Sequence, residues 1–494
     1  MNKPFVVVGG GLGGLSAAIH LAAAGENVTV LESAPQVGGK TSELRQNGYR
    51  WDTGPTVLTL RHVLEDLFQA AGRRVDDYLT LIPMDPLTRY HYRDGTVLDI
   101  RASLAQTVAN VEALPGDAAG NVDQYLRFLA YAAQMYRITA PVVLYNDPPT
   151  PRSILGMPLA DVLHVDLRSM DRAIDAHVRS PYLRWLFRRY ATYLGASPYQ
   201  ARAFLNVISH VELTAGLSYS LGGTVAIARA YRRLAEELGV EIRTNARVTR
   251  IEVDGGQVSG VTLAGGARLP AEAVVAGVDA TRVYRDLLPE GTAARRVRRW
   301  TQRPFSCSGY VLYLGVQGEH SQLAHHNLFF TDDYRAEFDS IFRHGVPYPD
   351  PTIYVAITSK SDPEHAPPGC ENWYVMTNVP PIGPGWDWER ESDAYRDRVL
   401  ARLAELGFDI RDDIRAEQRW TPVEIERRTG AWRGALYGHS FNPWLASFQR
   451  PHNRSRDVRG LYFAGGTTHP GGGVPMVTLS GKTAARLLLQ DSRG

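Results

Sequence analysis

The sequence predicts an α/β protein in which a domain built on a parallel sheet is interrupted by α+β insertions. The apolar run Phe5–Val8 leads into a glycine-rich turn and then into a helix of small residues. A second glycine-rich turn, residues 465–473, follows the apolar segment Leu461–Ala464 near the other end of the chain. Between these ends, helical and strand-like patterns alternate, and 494 residues suffice for two domains.

The first turn carries a nucleotide-binding pattern. Gly9, Gly11 and Gly14 fill G-x-G-x-x-G, with Leu12 at the start of the helix. The first glycine permits the tight turn, the second lets a pyrophosphate approach the backbone, and the third lets the helix pack on the strand. Glu32 ends the next apolar strand, where a carboxylate accepts hydrogen bonds from ribose hydroxyls and repels a 2′-phosphate. The pattern predicts a Rossmann-like fold, with a chance glycine loop as the alternative.

Later segments favour FAD over NAD as the dinucleotide. A glycine pair follows the acidic strand end and brings the chain back to the cofactor, with a lysine near its phosphates. A Gly-Pro turn then holds backbone against the flavin ring. A helix-to-strand loop near residue 245 is placed at the adenine, and the C-terminal turn closes over the flavin. The predicted cofactor contacts in these segments are Gly39, Lys40, Gly54, Pro55, Thr56, Val248, Gly466, Gly473 and Val474.

Composition narrows the class of protein. Hydrophobic residues make up 44% and charged residues 21%, as in a folded globular chain. The net charge of +2 gives no reason to expect nucleic acid as a partner. Two cysteines form no disulfide framework, and no His, Cys, Asp or Glu set has metal-ligand spacing. No apolar run reaches the length of a membrane span, and the N-terminus is unlike a signal peptide. We expect a cytoplasmic protein, soluble or bound peripherally to a membrane.

The cofactor domain is predicted to consist of three separated pieces, residues 1–75, 222–285 and 439–494. A mainly helical insertion, residues 76–221, is expected to face substrate and membrane. A mixed sheet over residues 286–438 completes the substrate domain.

Two helices in these insertions have amphipathic patterns. Residues Asp393–Leu406 predict a surface helix. Arg179–Tyr190 mixes arginines with large apolar groups, which suits a helix lying on anionic lipid. The alternative for the second segment is a solvated face with a buried side.

With these motifs in place, the chain resembles the bacterial carotenoid desaturases, the phytoene desaturases and their 1-hydroxycarotenoid 3,4-desaturase relatives. The resemblance runs from end to end. Its most specific segment is His469-Pro470-Gly471-Gly472-Gly473-Val474-Pro475. It implies FAD, a linear C40 carotenoid substrate, and oxidation of a C–C single bond by hydride transfer to flavin N5. It also implies a two-domain layout similar to that of monoamine oxidase, and attachment to the inner face of the cell membrane.

The resemblance leaves several reactions open. The segments Val57–Arg61 and Val474–Gly481 look closer to the 3,4-desaturases. Phytoene desaturation to neurosporene or lycopene is an alternative, as are an amine oxidase of the same fold and a non-catalytic carrier. No motif points to a particular electron acceptor.

Histidine is the residue type that we consider for a direct role in catalysis. His469 lies in the C-terminal turn, where it either stabilises negative charge on the reduced flavin or caps the turn by bonding backbone. His439 and the pair His325-His326 are interpreted as structural or solvated. Little acid–base chemistry is expected from the protein, because the cofactor carries the difficult step.

Overall fold

The structure is a computed structural model that describes residues 3–148, 150, 158–442 and 450–493. Parts of the predicted helical insertion (149 and 151–157) and of the last predicted piece (443–449 and 494) lie outside the described residues. The strands are β1 Phe5–Val8, β2 Val28–Leu31, β3 Glu43–Gln46, β4 Tyr49–Asp52, β5 Leu81–Pro83, β6 Thr88–His91, β7 Val97–Ile100, β8 Ser218–Ser220, β9 Glu241–Arg243, β10 Val248–Asp254, β11 Gln257–Leu263, β12 Arg268–Pro270, β13 Ala273–Ala276, β14 Ser308–Gln317, β15 His326–Phe329, β16 Ile353–Ile357, β17 Cys370–Val379, β18 Ile414–Trp420 and β19 Leu461–Phe463.

The α-helices occur in every part of the described chain. They are α1 Leu12–Ala23, α2 Arg61–Ala70, α3 Leu104–Glu112, α4 Ala118–Val143, α5 Leu159–His164, α6 Met170–His177, α7 Pro181–Arg188, α8 Val207–Ala215, α9 Val225–Glu237, α10 Ala280–Arg282, α11 Ala294–Thr301, α12 Tyr334–Asp339, α13 Trp388–Glu405, α14 Pro422–Thr429 and α15 Val474–Arg493. Of the helices so described, none combines the length and apolar character needed to cross a bilayer.

A five-stranded parallel sheet, in the order β19-β13-β1-β2-β9, forms the cofactor domain. All four residues of β1 are buried, since the strand lies at the centre of the sheet with apolar clusters on both sides. The strands come from residues 5–31, 241–276 and 461–463, so sequence-distant segments complete one sheet. The α/β fold class with a Rossmann-like sheet is confirmed.

Helices α1 and α15 pack side by side against this sheet. Gly481 makes the approach possible, because a Cβ there would lie 2.6 Å from the Ser16 Cβ and would overlap the Gly13 carbonyl oxygen. The Ser16 hydroxyl donates to the Thr478 carbonyl at 2.7 Å. The first and last helices, near the two ends of the chain, therefore pack with their backbones close together.

The second sheet has seven strands in the order β18-β14-β17-β16-β15-β6-β7. Strands β6 and β7 come from the first insertion and the other five from the second, and only β6 and β15 pair in parallel. Helix α13 covers one face of this sheet through an apolar cluster. The hairpin of β3 and β4 lies against the other face, where the Trp51 indole donates to the Leu314 carbonyl at 3.1 Å. Both insertions therefore build one sheet beside the cofactor domain.

Of the two amphipathic helices, one begins earlier than predicted, and the other has the buried side of its alternative interpretation. Helix α13 begins at Trp388, five residues before the predicted start, because the Asp387 carboxylate caps it by accepting from the amides of Glu389 and Arg390 at 3.0 and 3.3 Å. Helix α7, in the segment considered for lipid contact, packs its apolar side into the helical core. Its Arg188 is paired with Asp171 and Asp175 at 2.7 and 2.8 Å.

We expect Gly481→Val to destabilise the protein by about 1–3 kcal/mol, because its side chain must push α15 away from α1. Urea unfolding followed by circular dichroism measures the change. Lys482→Ala, at the adjacent exposed position of the same helix, is the matched control and should unfold at the wild-type midpoint. Equal midpoints for both variants would show that the helices do not pack as closely as described.

Candidate cofactor and active site

The first glycine turn lies at the carboxyl edge of the parallel sheet. Gly9 has a φ of +99°, a conformation that glycine adopts readily. A Cβ on Gly14 would overlap the Gly9 carbonyl oxygen, whereas a Cβ on Gly11 would have no atom within 4 Å. No side chain caps the first turn of α1, which starts at Leu12. Open space beside Gly11 thus adjoins an uncapped helix N-terminus, as a diphosphate site requires.

Glu32 is held beside this turn. Its carboxylate accepts from the Gly10 amide at 2.7 Å and from the Ala34 amide at 2.8 Å. The Ala246 amide donates to the Glu32 carbonyl at 2.8 Å, which brings the loop before Val248 to the same edge. The predicted ribose contact and adenine loop are therefore neighbours, and their roles in binding stay predictions.

The second glycine pair contacts the first turn directly. The Gly38 amide donates to the Gly10 carbonyl at 2.8 Å, and a Cβ on Gly39 would lie 3.3 Å from the Gly11 Cα. Lys40 follows, half-buried, with its ammonium donating to the Leu436 carbonyl at 2.7 Å. Burial lowers the pKa of Lys40 to about 8, and Asp279 partly opposes this shift.

The Gly-Pro turn packs against that lysine segment. A Cβ on Gly54 would overlap the Lys40 carbonyl oxygen, so this approach requires glycine. Pro55 is half-buried and Thr56 is buried, with the Thr56 hydroxyl 2.7 Å from the Tyr354 hydroxyl. The turn therefore lies between the cofactor domain and the seven-stranded sheet, where a flavin ring would meet its substrate.

The C-terminal turn brings a second helix N-terminus to the site. Gly466 follows β19, Gly473 is exposed with a φ of +102°, and Val474 begins α15. A Cβ on Gly473 would meet no atom within 4 Å. Like Gly11, Gly473 thus borders open space at the start of a helix, whose dipole favours negative charge.

His469 contacts backbone in this turn. The side chain is buried, and its Nε2 donates to the Asn146 carbonyl at 3.0 Å. Burial lowers the pKa of His469 to about 4, so its imidazole is neutral. The contact is of the kind expected from a residue that fixes the turn, and catalytic work by His469 stays a prediction.

Two polar residues that the sequence analysis did not single out organise this turn. Arg450 is buried and donates to the carbonyls of Gly466, Tyr437 and His439 at 2.6, 3.0 and 3.1 Å. The amide of Asn453 donates to the His469 carbonyl at 3.0 Å. The only sequence signal was the short polar segment Arg450-Pro451-His452-Asn453 ahead of β19.

Two cations of the site, Lys40 and Arg450, form no ion pair with a carboxylate of the described chain. The acceptors of Lys40 and Arg450 are carbonyl oxygens, and neither has a carboxylate within 4 Å in the described part of the chain. Burial lowers the pKa of Arg450 to about 10. Asp279 is the carboxylate nearby, and it accepts from the amides of Thr281 and Trp432 at 2.8 and 3.3 Å. An anionic ligand would balance these cations.

These features fit FAD. Its diphosphate would be held by the amides around Gly11, its ribose by Glu32, and its flavin between the Thr56 turn and the start of α15. No cluster of three or more His, Cys, Asp or Glu side chains in the described residues is arranged to hold a metal ion.

We expect Gly11→Val to fold normally and to bind FAD about 100-fold more weakly, since it would obstruct charge-assisted bonds to the diphosphate. The backbone at Gly11, with φ −68° and ψ 168°, accepts valine without strain. Flavin content after purification and the unfolding midpoint of the FAD-free protein measure the two effects. Gly14→Ala is the matched control, because it should lower the midpoint itself. Wild-type flavin content in Gly11→Val would contradict the site.

We expect FAD affinity to fall as pH rises above about 8. In the FAD-free protein Lys40 begins to lose its proton there, whereas the bound diphosphate favours the charged form, so binding then requires proton uptake. Lys40→Arg should remove the pH dependence, because a guanidinium stays charged. Titration of the FAD-free proteins by flavin fluorescence between pH 6.5 and 9 provides the test. A wild-type affinity that is level across this range would contradict the role of Lys40.

Comparison with known proteins agrees with this geometry. The family model for flavin containing amine oxidoreductases matches residues 12–489. A 4,4'-diapolycopene oxygenase of Methylomonas sp is 35% identical over 99% of both chains. A 4,4'-diaponeurosporene oxygenase of Staphylococcus aureus is 34% identical over 98% of both chains.

Solved structures of similar fold include an oxidoreductase from Methanosarcina mazei, with a TM-score of 0.67, 16% identity, and coverage of 98% of this chain and 100% of that one. Putrescine oxidase bound to putrescine gives a TM-score of 0.64 at 16% identity over 99% of both chains. At such identities these likenesses concern the fold alone. The match over nearly the whole length to the family model and to the two oxygenases confirms the resemblance found in the motifs. This chain belongs to the flavin containing amine oxidoreductases and is an FAD-dependent oxidoreductase.

Proposed function

We propose that this enzyme oxidises a linear carotenoid near one end of its polyene chain. The observation that carries the proposal is the identity of 34–35%, over nearly the full length, with two enzymes named as oxygenases of linear carotenoids. The amine oxidases of known structure share only the fold at 16–18% identity, so they give no comparable support for an amine substrate.

The proposed chemistry suits a site with few side chains that could act as catalytic acids or bases. Bound FAD would supply the hydride acceptor. A carbon that gives up hydride beside a polyene becomes a cation whose charge spreads along the conjugated chain. It then loses a proton from the neighbouring carbon, which forms a double bond, or takes up water, which forms an alcohol. The chain's own part is to hold the polyene, control water and favour negative charge on the cofactor through Lys40, Arg450 and the start of α15.

Oxygenation and desaturation are the two candidate outcomes. The names of the relatives favour oxygenation. The segments Val57–Arg61 and Val474–Gly481 favour 3,4-desaturation of a 1-hydroxycarotenoid, through their resemblance to that group. Phytoene desaturation has less support, because neither observation points to it. We take oxygenation as the leading reaction and 3,4-desaturation as the second.

Peripheral attachment to the inner face of the cell membrane belongs to the same proposal, because carotenoids partition into bilayers. The structure offers a cationic groove of about 570 Å³, lined in part by Arg168, Arg172, Arg202 and Arg335. Leu167 lies at this groove with 54% of its surface exposed. Exposed apolar and basic side chains together suit an anionic lipid surface. In this groove Arg168 and Arg335 are paired with Asp166 and Asp171, as the arginines of α7 are with Asp175 and Asp171.

We expect cells that accumulate linear carotenoids to form a new pigment when they express this protein. Chromatography with mass spectrometry separates the outcomes: oxygenation adds oxygen to the substrate, whereas desaturation removes two hydrogens. Diaponeurosporene, lycopene, phytoene and a 1-hydroxylated carotenoid are the substrates to compare. Gly11→Val, expressed at the same level, provides the cofactor-deficient control. Unchanged pigments with FAD-loaded wild-type protein, for all four substrates, would contradict the proposal.

A further inference from the structure

A buried chain of hydrogen bonds leads from the Gly-Pro turn into the seven-stranded sheet. The Thr56 hydroxyl lies 2.7 Å from the Tyr354 hydroxyl, which lies 2.8 Å from Nδ1 of His326. Thr56 belongs to the turn at the proposed flavin, Tyr354 to β16 and His326 to the neighbouring strand β15. Three segments distant in sequence thus place two hydroxyls and an imidazole in line.

His326 is uncharged at rest, and the causes that lower its pKa allow it to carry a proton only transiently. The side chain is fully buried, and its Nε2 has no hydrogen-bond partner among the described residues. Burial, with the nearby His325 and Arg189, holds the pKa of His326 well below its usual value. The imidazole is therefore neutral, and Nδ1 can accept from Tyr354 while Nε2 carries the hydrogen.

The hydrogen-bonded chain lies in apolar surroundings, where keeping polar groups costs free energy. Tyr354 and Val57 pack into the large aromatic cluster of the helical insertion, and burial raises the pKa of the Tyr354 phenol far above its usual value. Tyr354 therefore passes protons as a neutral hydroxyl and does not ionise. His325 and His326 are interpreted from the sequence as structural or solvated, and their burial excludes the solvated alternative.

We propose that Thr56, Tyr354 and His326 form the path that takes up the proton released when the carotenoid is oxidised. The inference rests on the proposed function. As hydride leaves the substrate for bound FAD, the resulting cation loses a proton from the adjacent carbon, or from water that has added to it. Thr56 Oγ1 accepts this proton and passes its own hydrogen to Tyr354, which passes its own to His326 Nδ1. Two electrons leave with the hydride, and one proton ends on His326 as imidazolium.

A proton on His326 does not remain there for long. Arg189 repels the imidazolium, and the ring of His325 lies 4.3 Å away between centroids. His325 Nδ1 is in turn 2.7 Å from the Ser361 hydroxyl, which lies between the exposed Lys360 and the half-buried Asp362 in the chain. The histidine pair thus provides a direction of release away from the substrate, toward the segment after β16.

Tyr354→Phe tests the path, because it removes one oxygen and keeps the ring. We expect carotenoid-driven bleaching of the flavin, followed without oxygen by stopped-flow absorbance, to slow about 100-fold. The wild type should react more slowly in D2O, and this solvent isotope effect should disappear in the variant. FAD content and unfolding midpoint should stay at wild-type values. Nitrogen NMR of labelled histidine, with His326→Gln for assignment, should show the Nδ1 signal change in Tyr354→Phe.

Tyr374→Phe is the matched control. Tyr374 lies on the adjacent strand β17, its ring 6.2 Å from that of Tyr354, and its hydroxyl contacts the Met376 sulfur instead of the chain. This variant should bleach at the wild-type rate. Thr56→Ser should retain most of the rate, and Thr56→Val should lose the rate and the solvent isotope effect while keeping FAD content and unfolding midpoint. A purely structural hydroxyl would not produce this combination.

Each outcome is decisive. Bleaching of Tyr354→Phe at the wild-type rate, with the isotope effect intact, overturns the path while leaving the carotenoid assignment standing. If Tyr354→Phe loses FAD or stability, the comparison of Thr56→Ser with Thr56→Val decides, and equal rates overturn the path. A wild-type flavin that no carotenoid bleaches overturns the proposed function itself.

Discussion

The rest of the structure depends on one constraint. At the carboxyl edge of the parallel sheet, backbone packs directly on backbone. Gly14 lies on the Gly9 carbonyl, Gly13 on Gly465, and Gly481 on Gly13, so α1, α15 and the sheet meet with no side chain between them. This contact brings two helix N-termini to one place and leaves Gly11 and Gly473 beside open space. Any side chain at the closely packed positions would separate the ends of the chain and with them the two halves of the site.

The cofactor site differs from the structural ion pairs in that its two cations have no directly paired carboxylate. In the helical insertion, the buried Arg189 is bonded to Glu212 and Tyr90, and Tyr193 also donates to Glu212, so that charge is balanced within the chain. Lys40 and Arg450 have carbonyl acceptors instead, and the nearby Asp279 is paired with neither of them. Burying cations without partners costs stability, and a fold retains them where a ligand supplies the opposite charge. The contrast supports a cofactor that brings negative charge.

Sequence reasoning succeeded where a signal is local. The turn at Gly9, the glycine pair before Lys40 and the C-terminal turn each require a backbone conformation or a close approach that only glycine permits, so their positions are visible in the residues themselves. The α/β class followed from the same segments. Contacts between segments that are distant in the sequence have no comparable local signal. Lys40 meets Leu436 across 396 residues, and β6 pairs with β15 across more than 200. Arg450 and Asn453 act on backbone carbonyls, which no side-chain pattern encodes.

The same distinction applies to His326. The adjacent pair of histidines did not indicate burial in the sequence. The role of a histidine in a strand depends on which residues the neighbouring strands place beside it. Strand pairing sets Tyr354 beside His326, and the Gly-Pro turn sets Thr56 beside Tyr354. The substrate's fate after hydride loss then depends on what lies next to the cation. A proton path alone leads to a double bond, whereas a proton path with access for water leads to an oxygenated end. Desaturases and oxygenases of one family can therefore share this machinery and differ in how tightly the apolar insertions exclude water.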